Sequence, residues 1–401
     1  MGSITFHRCT LAAVLVCGAA ARAAAGPALA PVTDRDYAIE LYDGVALGST
    51  ALVGMGGAGV ALASDSAGTL INVAAPAVRL TTDKDSWNWG FHVDYLNADG
   101  SSDYANTGLG LQEGGTSIFT AGLSLRIHDW AAAVTVTDLS VGVATQPGQP
   151  SLYSSTVRYQ LALAKWIPQI DVAAGIALQA ADFDLYPDCT DQMPCMDLFG
   201  VTGDGFEAGA IWSPRMTSLR IGANYAAPID GGGITYQDCD PTNCEGFILP
   251  DSVVSAWRAS LGVAYRFAPT AWNQLVSGYF RDERSLTVAL DLAVTGAEDN
   301  AYGLEAFGQH ELEPSGRDLA WSPRGGVEFE CFPGRLRLLA GSYWEPQRYD
   351  GVPGRLHGTF GVELRMLQFN LLKVPRRGRI SITGDLAEGY RNIGVSVGFW
   401  H

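Results

Sequence analysis

The chain has 401 residues, of which 47% are hydrophobic and 10% aromatic, and it carries a formal net charge of −16 at pH 7. This acidic balance excludes nucleic-acid binding as a main role, because nucleic acids select basic surfaces. The length would ordinarily predict two or more globular domains, and the alternative is a single large β-barrel.

The first 25 residues have the pattern of a secretory signal peptide. Arg8 is followed by a short apolar run, Thr10 to Ala21, and then by the small-residue cleavage pattern Ala23-Ala24-Ala25. The run is too short to span a bilayer as a helix. A lipidated Cys17 is the less favoured alternative, because Val16 before it is larger than a lipoprotein signal prefers. We predict a Sec-type signal peptide over residues 1–25, cleaved near Ala25.

Residues 46–79 are dominated by small side chains. Glycine allows the backbone to turn freely and to pack closely against its neighbours, and four glycines cluster here: Gly54, Gly56, Gly57 and Gly59. No Gly-Lys-Ser/Thr follows, so a phosphate-binding loop is not predicted. We interpret residues 26–85 as a hatch, a compact plug packed against the inner wall of a barrel.

Residues 86–401 show strict two-residue alternation of apolar and polar side chains, the pattern of strands with different environments on their two faces. For example, Leu286, Val288, Leu290 and Leu292 alternate with Thr287, Ala289 and Asp291. About fourteen such segments occur, near 86–96, 115–126, 129–141, 153–165, 170–184, 204–212, 218–227, 253–267, 284–295, 318–331, 336–345, 355–366, 378–387 and 390–400. We therefore predict an all-β fold, a transmembrane antiparallel β-barrel of about fourteen strands.

The connections mostly alternate between short and long, as in outer-membrane barrels, which have short periplasmic turns and long extracellular loops. The links at 268–283 and 367–377 are longer than this scheme expects. An even strand number also predicts that both termini lie on the periplasmic side. A soluble β-sandwich is the alternative, but it would not need so many charged residues on the polar faces of so many strands.

Charged residues on the polar faces are expected to point into the lumen, because charge facing lipid at the bilayer midplane is unfavourable. The candidates are Asp94, Arg126, Arg158, Glu207, Arg220, Arg258, Arg266, Asp291, Glu328, Glu330, Arg337, Glu363 and Arg365. Most are interpreted as a network that braces the interior and seats the hatch. In the other interpretation, some arginines hold a substrate carboxylate by bidentate hydrogen bonds; the substrate candidates are Arg158, Arg220, Arg258, Arg337, Glu328, Glu363 and Arg365.

Four cysteines form two close pairs in long polar segments, Cys189 with Cys195 and Cys239 with Cys244. An exported chain meets an oxidising compartment, so two small loop disulfides are predicted. The alternative is a zinc site, which normally needs tighter spacing.

No catalytic or cofactor motif stands out. None of the histidines after the signal peptide lies in a His-x-Ser pattern, and the acidic segment from Asp182 to Asp191 lacks the glycine and distal glutamate of a calcium-binding EF-hand loop. We predict neither an enzyme nor a bound metal or cofactor.

Two features support insertion into the outer membrane. Aromatic residues occur at strand ends, where their rings suit the lipid headgroup level; they are Trp130, Trp166, Trp212, Tyr225 and Trp344. The chain closes with Ile393, Val395, Val397 and Phe399 on one face, which resembles the C-terminal signal read by the barrel-assembly machinery.

The hatch resembles the N-terminal pattern of the FadL-like outer-membrane transport family, which imports long-chain fatty acids, aromatic hydrocarbons and other hydrophobic compounds. Met55-Gly56-Gly57-Ala58 matches the family's Met-Gly-Gly-Ala run, and Ala63 to Ala67, with Asp65, matches its Ala-x-Asp-x-Ala stretch. Asn72-Val73-Ala74-Ala75 keeps the asparagine of the Asn-Pro-Ala-Gly motif but lacks its proline and glycine. The resemblance implies a fourteen-stranded barrel closed by the hatch, with lateral release of substrate through a gap beside a kinked strand.

The sequence thus predicts an outer-membrane channel for hydrophobic small molecules, in which Gly54, Met55, Gly56, Gly57, Ala58, Asp65 and Asn72 form the hatch. Its expected partners are outer-membrane lipid and lipopolysaccharide, the substrate and the barrel-assembly machinery, but not nucleic acid. The alternatives are a non-transporting scaffold or shuttle barrel in the cell envelope and a general diffusion porin.

Overall fold

Fourteen antiparallel strands form a closed barrel, as the alternation predicts. The computed structural model describes residues 29–41, 49–80, 86–99, 102–109, 115–147, 149, 151–187, 197–234, 239–276, 278–371 and 374–400. The strands are β1 Trp87–Ala98, β2 Thr116–Ile127, β3 Trp130–Val143, β4 Leu152–Ile167, β5 Val172–Pro187, β6 Phe199–Trp212, β7 Leu219–Ala226, β8 Arg258–Phe267, β9 Ser285–Thr295, β10 Ala320–Phe332, β11 Leu336–Glu345, β12 Arg355–Leu371, β13 Val374–Ala387 and β14 Tyr390–Phe399.

Each strand pairs with the next along the chain, and β14 pairs with β1 to close the ring, from Asn392 opposite Ala98 to Gly398 opposite His92. Closure leaves no sheet edge exposed, which is a requirement for strands in lipid. Among the ladders that the structure describes, the register shifts only between Glu330 and Phe332 and between Arg365 and Gln368. The register of β3 with both of its neighbours is continuous.

Side chains alternate between the outside of the barrel and its interior. On β2, Phe119, Leu123 and Leu125 are exposed on the outer face, whereas Thr120 and Ser124 between them are buried. The two faces meet different surroundings, so the apolar outer face is the one that contacts lipid. Trp166, expected at the headgroup level, instead faces inward and packs on the hatch beside Ala74 and Ala77. In the described part of the chain, no helix is long and apolar enough to cross a membrane.

The barrel has a loop end, which carries the long connections, and a turn end, which carries most of the short ones. At the loop end, a small sheet forms from four short segments in the order Ile229–Gly232, Ser252–Ser255, Ala38–Glu40 and Ala301–Tyr302. Ala30–Pro31 pairs nearby with Glu311–Leu312, close to helix α3 (Leu304–Gly308). We call this assembly the cap.

The position of the N-terminal segment contradicts the prediction that both termini lie on the periplasmic side. The first barrel strand begins, and the last one ends, at the turn end, as an even strand number requires. Residues 29–41, however, belong to the cap at the loop end. The described N-terminal segment and the end of the last strand therefore lie at opposite ends of the barrel, because the hatch runs through the lumen between them.

The cap has its own apolar core, formed by Tyr37, Ile39, Phe183, Leu185, Phe199, Phe247, Leu249 and Phe307. Burial of large aromatic side chains contributes strongly to stability. Tyr37 and Ile39 come from the N-terminal segment, while Phe183 and Phe199 come from β5 and β6. The cap is therefore attached to the wall by apolar packing, and it lies over the loop end of the lumen.

Of residues 26–85, predicted as the hatch, only the part described over residues 49–80 crosses the lumen, and it forms short turns rather than regular structure. It contains helix α1 (Thr50–Gly54), helix α2 (Asp65–Gly68) and a 3-10 turn (Ala75–Ala77). Helix α1 contacts β11 to β14 and β1, α2 contacts β1 to β3, and the 3-10 turn contacts β2 to β5. The segment thus winds around the inside of the wall, which agrees with the predicted hatch.

Two elements at the turn end are longer than short turns. Residues 268–284 link β8 to β9, and the hairpin of β12 and β13 extends beyond its neighbours on both sides. On β12, Leu364 is the last residue that pairs with β11, and on β13, Gly378 is the first residue that pairs with β14. Arg377 of this hairpin bonds Asp282 of the link.

Candidate functional site

Two aspartates of the wall hold the hatch by its backbone. The carboxylate of Asp94 on β1 accepts hydrogen bonds from the backbone N–H and the hydroxyl of Thr50, both at 2.9 Å. The carboxylate of Asp291 on β9 accepts from the backbone N–H groups of Gly59 and Val60, at 2.6 and 2.8 Å. Both aspartates are buried. Hydrogen bonds to ionised groups are about twice as strong as neutral ones, so these contacts position the start and the middle of the hatch.

The Met55–Ala58 run packs against a part of the wall that is formed by glycine residues. Gly56 and Gly57 have φ angles of +65° and +67°, a region that favours glycine. Thr359 on β12 accepts a hydrogen bond from the N–H of Gly56 at 2.9 Å and donates one to the carbonyl of Gly54 at 3.1 Å. The wall itself is glycine where this run touches it, at Gly326 and Gly341, and a Cβ at either position would collide with the backbone of Met55.

Asn72 ties the second half of the hatch to the opposite wall. Its Nδ2 donates to the carbonyls of Val60, Ala210 and Ala223 at 3.1 to 3.2 Å, and its Oδ1 accepts from the N–H of Ala74 at 3.1 Å. One fully buried amide therefore joins two parts of the hatch to β6 and β7. This position carries the asparagine of the family-like motif.

Asp65 occupies a strained backbone position between two wall strands. Its φ is +59°, which is uncommon for a residue with a side chain. The hydroxyl of Ser124 on β2 donates to its carboxylate, and the wall facing it is Gly90 on β1. The contact holds helix α2 against the wall near the turn end.

An upper cavity of about 140 Å³ lies on the loop-end side of the hatch. Its floor includes Val60, Leu70 and Ile71 of the hatch, and Arg158, Arg258 and Glu207 project from the wall. Glu207 accepts a hydrogen bond from Gln160 at 3.1 Å, and Arg158 donates to Ser255 of the cap at 3.2 Å. Some of the polar side chains that line the cavity are therefore already hydrogen-bonded within the protein. The hatch supplies the apolar part of the cavity lining.

A lower cavity of about 200 Å³ lies between the hatch and the turn end. Arg337 sits among three glutamates, with N–O distances of 3.9 Å to Glu328, 3.3 Å to Glu330 and 3.5 Å to Glu363. Arg379 pairs with Glu363 at 3.0 Å. The charges are paired with one another, so this wall of the cavity is an ion-pair network.

The opposite side of the lower cavity carries Arg220. Its guanidinium stacks on the ring of Trp272 at 4.0 Å, and its Nε donates to Oδ1 of Asn273 at 2.9 Å. Both partners belong to the 268–284 link, so Arg220 fastens this link to the wall. Arg266 bonds Glu283 of the same link at 2.7 Å.

The structure brings the predicted site residues together in three groups. The hatch residues lie across the lumen, Arg158 and Arg258 line the upper cavity, and the lower cavity is lined by Arg220, Glu328, Arg337 and Glu363. Arg365 lines neither cavity and lies at the mouth of the turn end beside Arg335. The hatch therefore separates substrate candidates that the sequence placed in one lumen.

Of the predicted cysteine pairs, Cys239 and Cys244 form a disulfide in the cap. Cys189 and Cys195 lie outside the described residues. The cap disulfide closes a small loop next to Phe247 and is distant in sequence from the hatch anchors.

The sequence placed Asp94 and Asp291 in the lumen, in a set interpreted mainly as a network that seats the hatch, but it did not identify their backbone partners at Thr50, Gly59 and Val60. It missed Thr359 and the wall glycines entirely. The signal that could have found them is glycine or a small polar residue at inward positions, for example Gly90, Gly209, Gly262, Gly326 and Gly341. A bulky inward side chain at these places would occupy the space of the hatch.

The fold is similar to that of solved channels and transporters. No protein-family model and no curated protein matches the sequence. Among solved structures, the monoaromatic hydrocarbon channel CymD aligns with a TM-score of 0.55 at 11% identity, covering 90% of this chain and 97% of that one. The chain has the FadL-like fold.

Two further structures with this FadL-like fold agree. The toluene transporter TodX of P. putida aligns with a TM-score of 0.51 at 13% identity, covering 89% of this chain and 98% of that one. A Pseudomonas aeruginosa FadL homologue aligns with a TM-score of 0.50 at 14% identity, covering 88% and 98%. A closed barrel with the FadL-like fold points to the outer membrane of a Gram-negative bacterium.

Proposed function

We propose that this protein is an outer-membrane channel that takes up hydrophobic small molecules by diffusion gated by the hatch. The observation that carries the proposal is a hatch that crosses the lumen between two cavities and is held by side-chain hydrogen bonds from the wall. The FadL-like fold supports it, since two solved structures with this fold are described as a monoaromatic hydrocarbon channel and a toluene transporter.

The hatch anchors suit a reversible gate. The hydrogen bonds of Asp94, Thr359 and Asp291 reach backbone groups, which water can satisfy when the hatch moves. The described hatch also packs on the wall largely through alanine and glycine, at Ala58, Ala61, Ala74, Ala75 and Ala77. Small side chains bury little apolar area per residue. Displacing this hatch therefore requires less free energy than displacing a hatch that packs through large apolar side chains.

The size of the upper cavity supports a compact substrate. Its volume of about 140 Å³ is close to that of the roughly 150 Å³ protein cavity that accommodates benzene. A one-ring compound would rest on Val60, Leu70 and Ile71 of the hatch without moving it. A long acyl chain would need further space. We therefore infer that monoaromatic compounds are better substrates than long-chain fatty acids.

The hatch also argues against a general porin. In a water-filled porin, small ions follow an open path, whereas here the hatch occupies the lumen between the two cavities. Passage from the upper to the lower cavity thus requires the hatch to move.

Uptake into proteoliposomes tests the proposal. Liposomes that contain the protein should take up radiolabelled toluene faster than empty liposomes and faster than they take up decanoate or glucose. Toluene uptake that is equal with and without the protein would refute the proposal. Planar-bilayer recording is the companion measurement, because steady currents proportional to salt concentration would indicate a porin instead.

A further inference from the structure

One side of the lower cavity carries an excess of positive charge. Arg220 on β7 and Arg266 on β8 both line the cavity and are almost fully buried. They share the inner face of the wall, because Arg220 lies opposite Ala264 and Arg266 is the next inward residue of β8. Arg281 of the 268–284 link lines the cavity beside them. Three guanidinium groups therefore lie together where β7, β8 and the link join.

Glu283 is the carboxylate that pairs with this group, and it is already engaged. Its Oε1 accepts hydrogen bonds from Nη1 of Arg266 and from Nε of Arg281, both at 2.7 Å. The hydroxyl of Thr270 donates to the same oxygen at 2.8 Å. The Nη groups of Arg281 donate to backbone carbonyls of the link at 2.6 to 2.9 Å. Glu283 and Arg281 therefore satisfy each other and the link.

Arg220 has no carboxylate partner among the described residues. Its charged neighbours are the cations Arg266 and Arg281. Its Nε donates to Oδ1 of Asn273 at 2.9 Å, and neither of its Nη groups has a hydrogen bond within the described part of the chain. The side chain borders the cavity. The two Nη donors are therefore available to a ligand inside it.

The glutamates across the cavity belong to a separate group around Arg337. In the strand register, Glu328 on β10 is the member of this group that lies on the same row as Arg266. Thr287 on β9 stands between them and is paired with both. Over the ranges that the structure describes, no ion pair joins Glu328 to Arg220 or Arg266. The cavity thus has an acidic side and a basic side, and an anion is attracted to the basic one.

A buried hydroxyl adds a neutral donor to the basic side. Ser285 is the next inward residue of β9 after Thr287, towards the turn end, and it lines the cavity with 3% of its surface exposed. Its Oγ has no hydrogen-bond partner among the described residues. A buried hydroxyl without a partner is unfavourable. An acceptor atom of a ligand at this place would satisfy it.

Apolar side chains lie beside the same arginines. Leu62 of the hatch and Trp272 of the link pack on the apolar cluster that contains Ala264, the residue opposite Arg220. The cavity volume of about 200 Å³ exceeds the roughly 150 Å³ of a protein cavity that accommodates benzene. The cavity therefore has room for one aromatic ring with a charged substituent.

We propose that the lower cavity binds an aromatic carboxylate, a single ring with one carboxylate group, through Arg220, Arg266 and Ser285. The Nη groups of Arg220 suit this ligand, because a guanidinium donates two parallel hydrogen bonds to the two oxygens of a carboxylate. The ring lies on Leu62 and Trp272. The inference rests on the proposed function, since the ligand reaches the cavity through the channel, and it extends the substrate class from neutral one-ring compounds to their acids.

Direct binding to the purified full-length protein in detergent tests this proposal. Isothermal titration calorimetry compares benzoate with benzamide, which has the same shape without the charge, and with acetate and inorganic phosphate, which lack the ring. We expect benzoate to bind roughly tenfold more tightly than each of the other three, because hydrogen bonds between charged groups and burial of the ring both contribute. Phosphate or acetate that binds as tightly as benzoate would overturn the proposal in favour of a general anion site.

Two variants locate the site, each with a matched control. Arg220→Gln should weaken benzoate binding by roughly tenfold, and Ser285→Ala should weaken it by roughly threefold. Arg126→Gln is the control for the first variant, because Arg126 is a buried arginine of the wall that lines neither cavity. Ser213→Ala is the control for the second, because the Oγ of Ser213 is also buried without a partner among the described residues but does not line the lower cavity. The heat-modifiable mobility of the barrel in gels verifies that each variant is folded.

The outcomes separate failure of this site from failure of the channel. Equal affinity of the parent for benzoate and benzamide overturns the proposal, and so does benzoate binding that is unchanged in both Arg220→Gln and Ser285→Ala. Equal loss of binding in Arg220→Gln and Arg126→Gln also overturns it, because the effect would then be one of lost charge in general. Toluene uptake is measured in liposomes with the same proteins. A parent that binds benzoate as expected but does not accelerate toluene uptake would refute the proposed channel and leave the binding site in place.

Discussion

Asp291 and Gly59 are 232 residues apart in sequence, yet the carboxylate of Asp291 accepts a hydrogen bond from the N–H of Gly59 at 2.6 Å and another from the next residue, Val60, at 2.8 Å. The acceptor belongs to the wall and the donors belong to the hatch. In this position one buried carboxylate satisfies two backbone groups that the short turns of the hatch leave without partners of their own.

Replacement of Asp291 should loosen the hatch. Asp291→Asn keeps the size of the side chain but removes its charge, so the two hydrogen bonds that Oδ2 accepts from the N–H groups of Gly59 and Val60 are no longer charge-assisted. Weakening of both hydrogen bonds reduces the attachment of the hatch by about 1–3 kcal/mol, which corresponds to a roughly 5- to 150-fold larger open fraction. We expect more frequent conductance steps in planar bilayers than with the parent.

Asp204→Asn is the control for this variant, because it removes the same charge from an exposed position on β6. Its conductance should equal that of the parent. If Asp291→Asn and Asp204→Asn are indistinguishable, the bond between Asp291 and the hatch does not keep the channel closed.

A side chain at Gly341 should push the hatch out of its place. Gly341→Ala adds a Cβ that collides with the backbone at Met55 and Gly56, and overpacking of this kind typically costs about 1–3 kcal/mol. We expect faster proteolysis within the hatch and faster toluene uptake. Gly358→Ala is the matched control, because a Cβ there has no atom within 4 Å. Equal protease sensitivity of the two variants would contradict the close approach of the hatch to β11.

The barrel could be predicted from the sequence, because lipid and lumen impose opposite demands on successive side chains of every strand. Each of the fourteen predicted segments coincides with a barrel strand, although the segment at 253–267 joins a cap strand, Ser252–Ser255, to β8. The cap sheet could not be predicted in this way. Its segments Ala38–Glu40 and Ala301–Tyr302 are too short to show a periodicity.

The interior of the site was predicted less well for a different reason. Alternation indicates that Asp94 and Asp291 point inward, but it cannot distinguish a substrate ligand from an anchor whose partner is a backbone N–H. Nor does composition reveal that the hatch divides the lumen, which separates Arg158 from Arg337. Long-range backbone partners leave no local pattern in a single sequence.

The stability of the cap should decrease as the pH rises. Burial, together with the neighbouring carboxylates of Glu305 and Asp103, raises the pKa of Glu313 to about 8. Between the ordinary value of about 4.3 and this value, the folded cap holds a proton that the unfolded chain has lost, so stability falls through this range and is lowest above it. Hydrogen exchange of residues 301–316 should therefore be faster at pH 9 than at pH 6, after correction for intrinsic rates.

Glu313→Gln should flatten this dependence, because the amide keeps the shape of the neutral acid without titrating. Glu311→Gln, two residues away and only half-buried, is the control and should keep the pH response of the parent. A pH response that survives unchanged in Glu313→Gln would show that another group of the cap is responsible.

The passage of the hatch through the lumen predicts which side of the membrane the N-terminal segment reaches. Ala30 is exposed and pairs with Leu312 in the cap, whereas Met216 is exposed in the turn between β6 and β7 at the other end. In intact cells, a membrane-impermeant maleimide should label Ala30→Cys but not Met216→Cys, and permeabilisation should make Met216→Cys reactive. Unmodified protein, in which Cys331 is buried, gives the background. Labelling of Ala30→Cys only after permeabilisation would mean that residue 30 lies in the periplasm and that the hatch does not run from the loop end to the turn end.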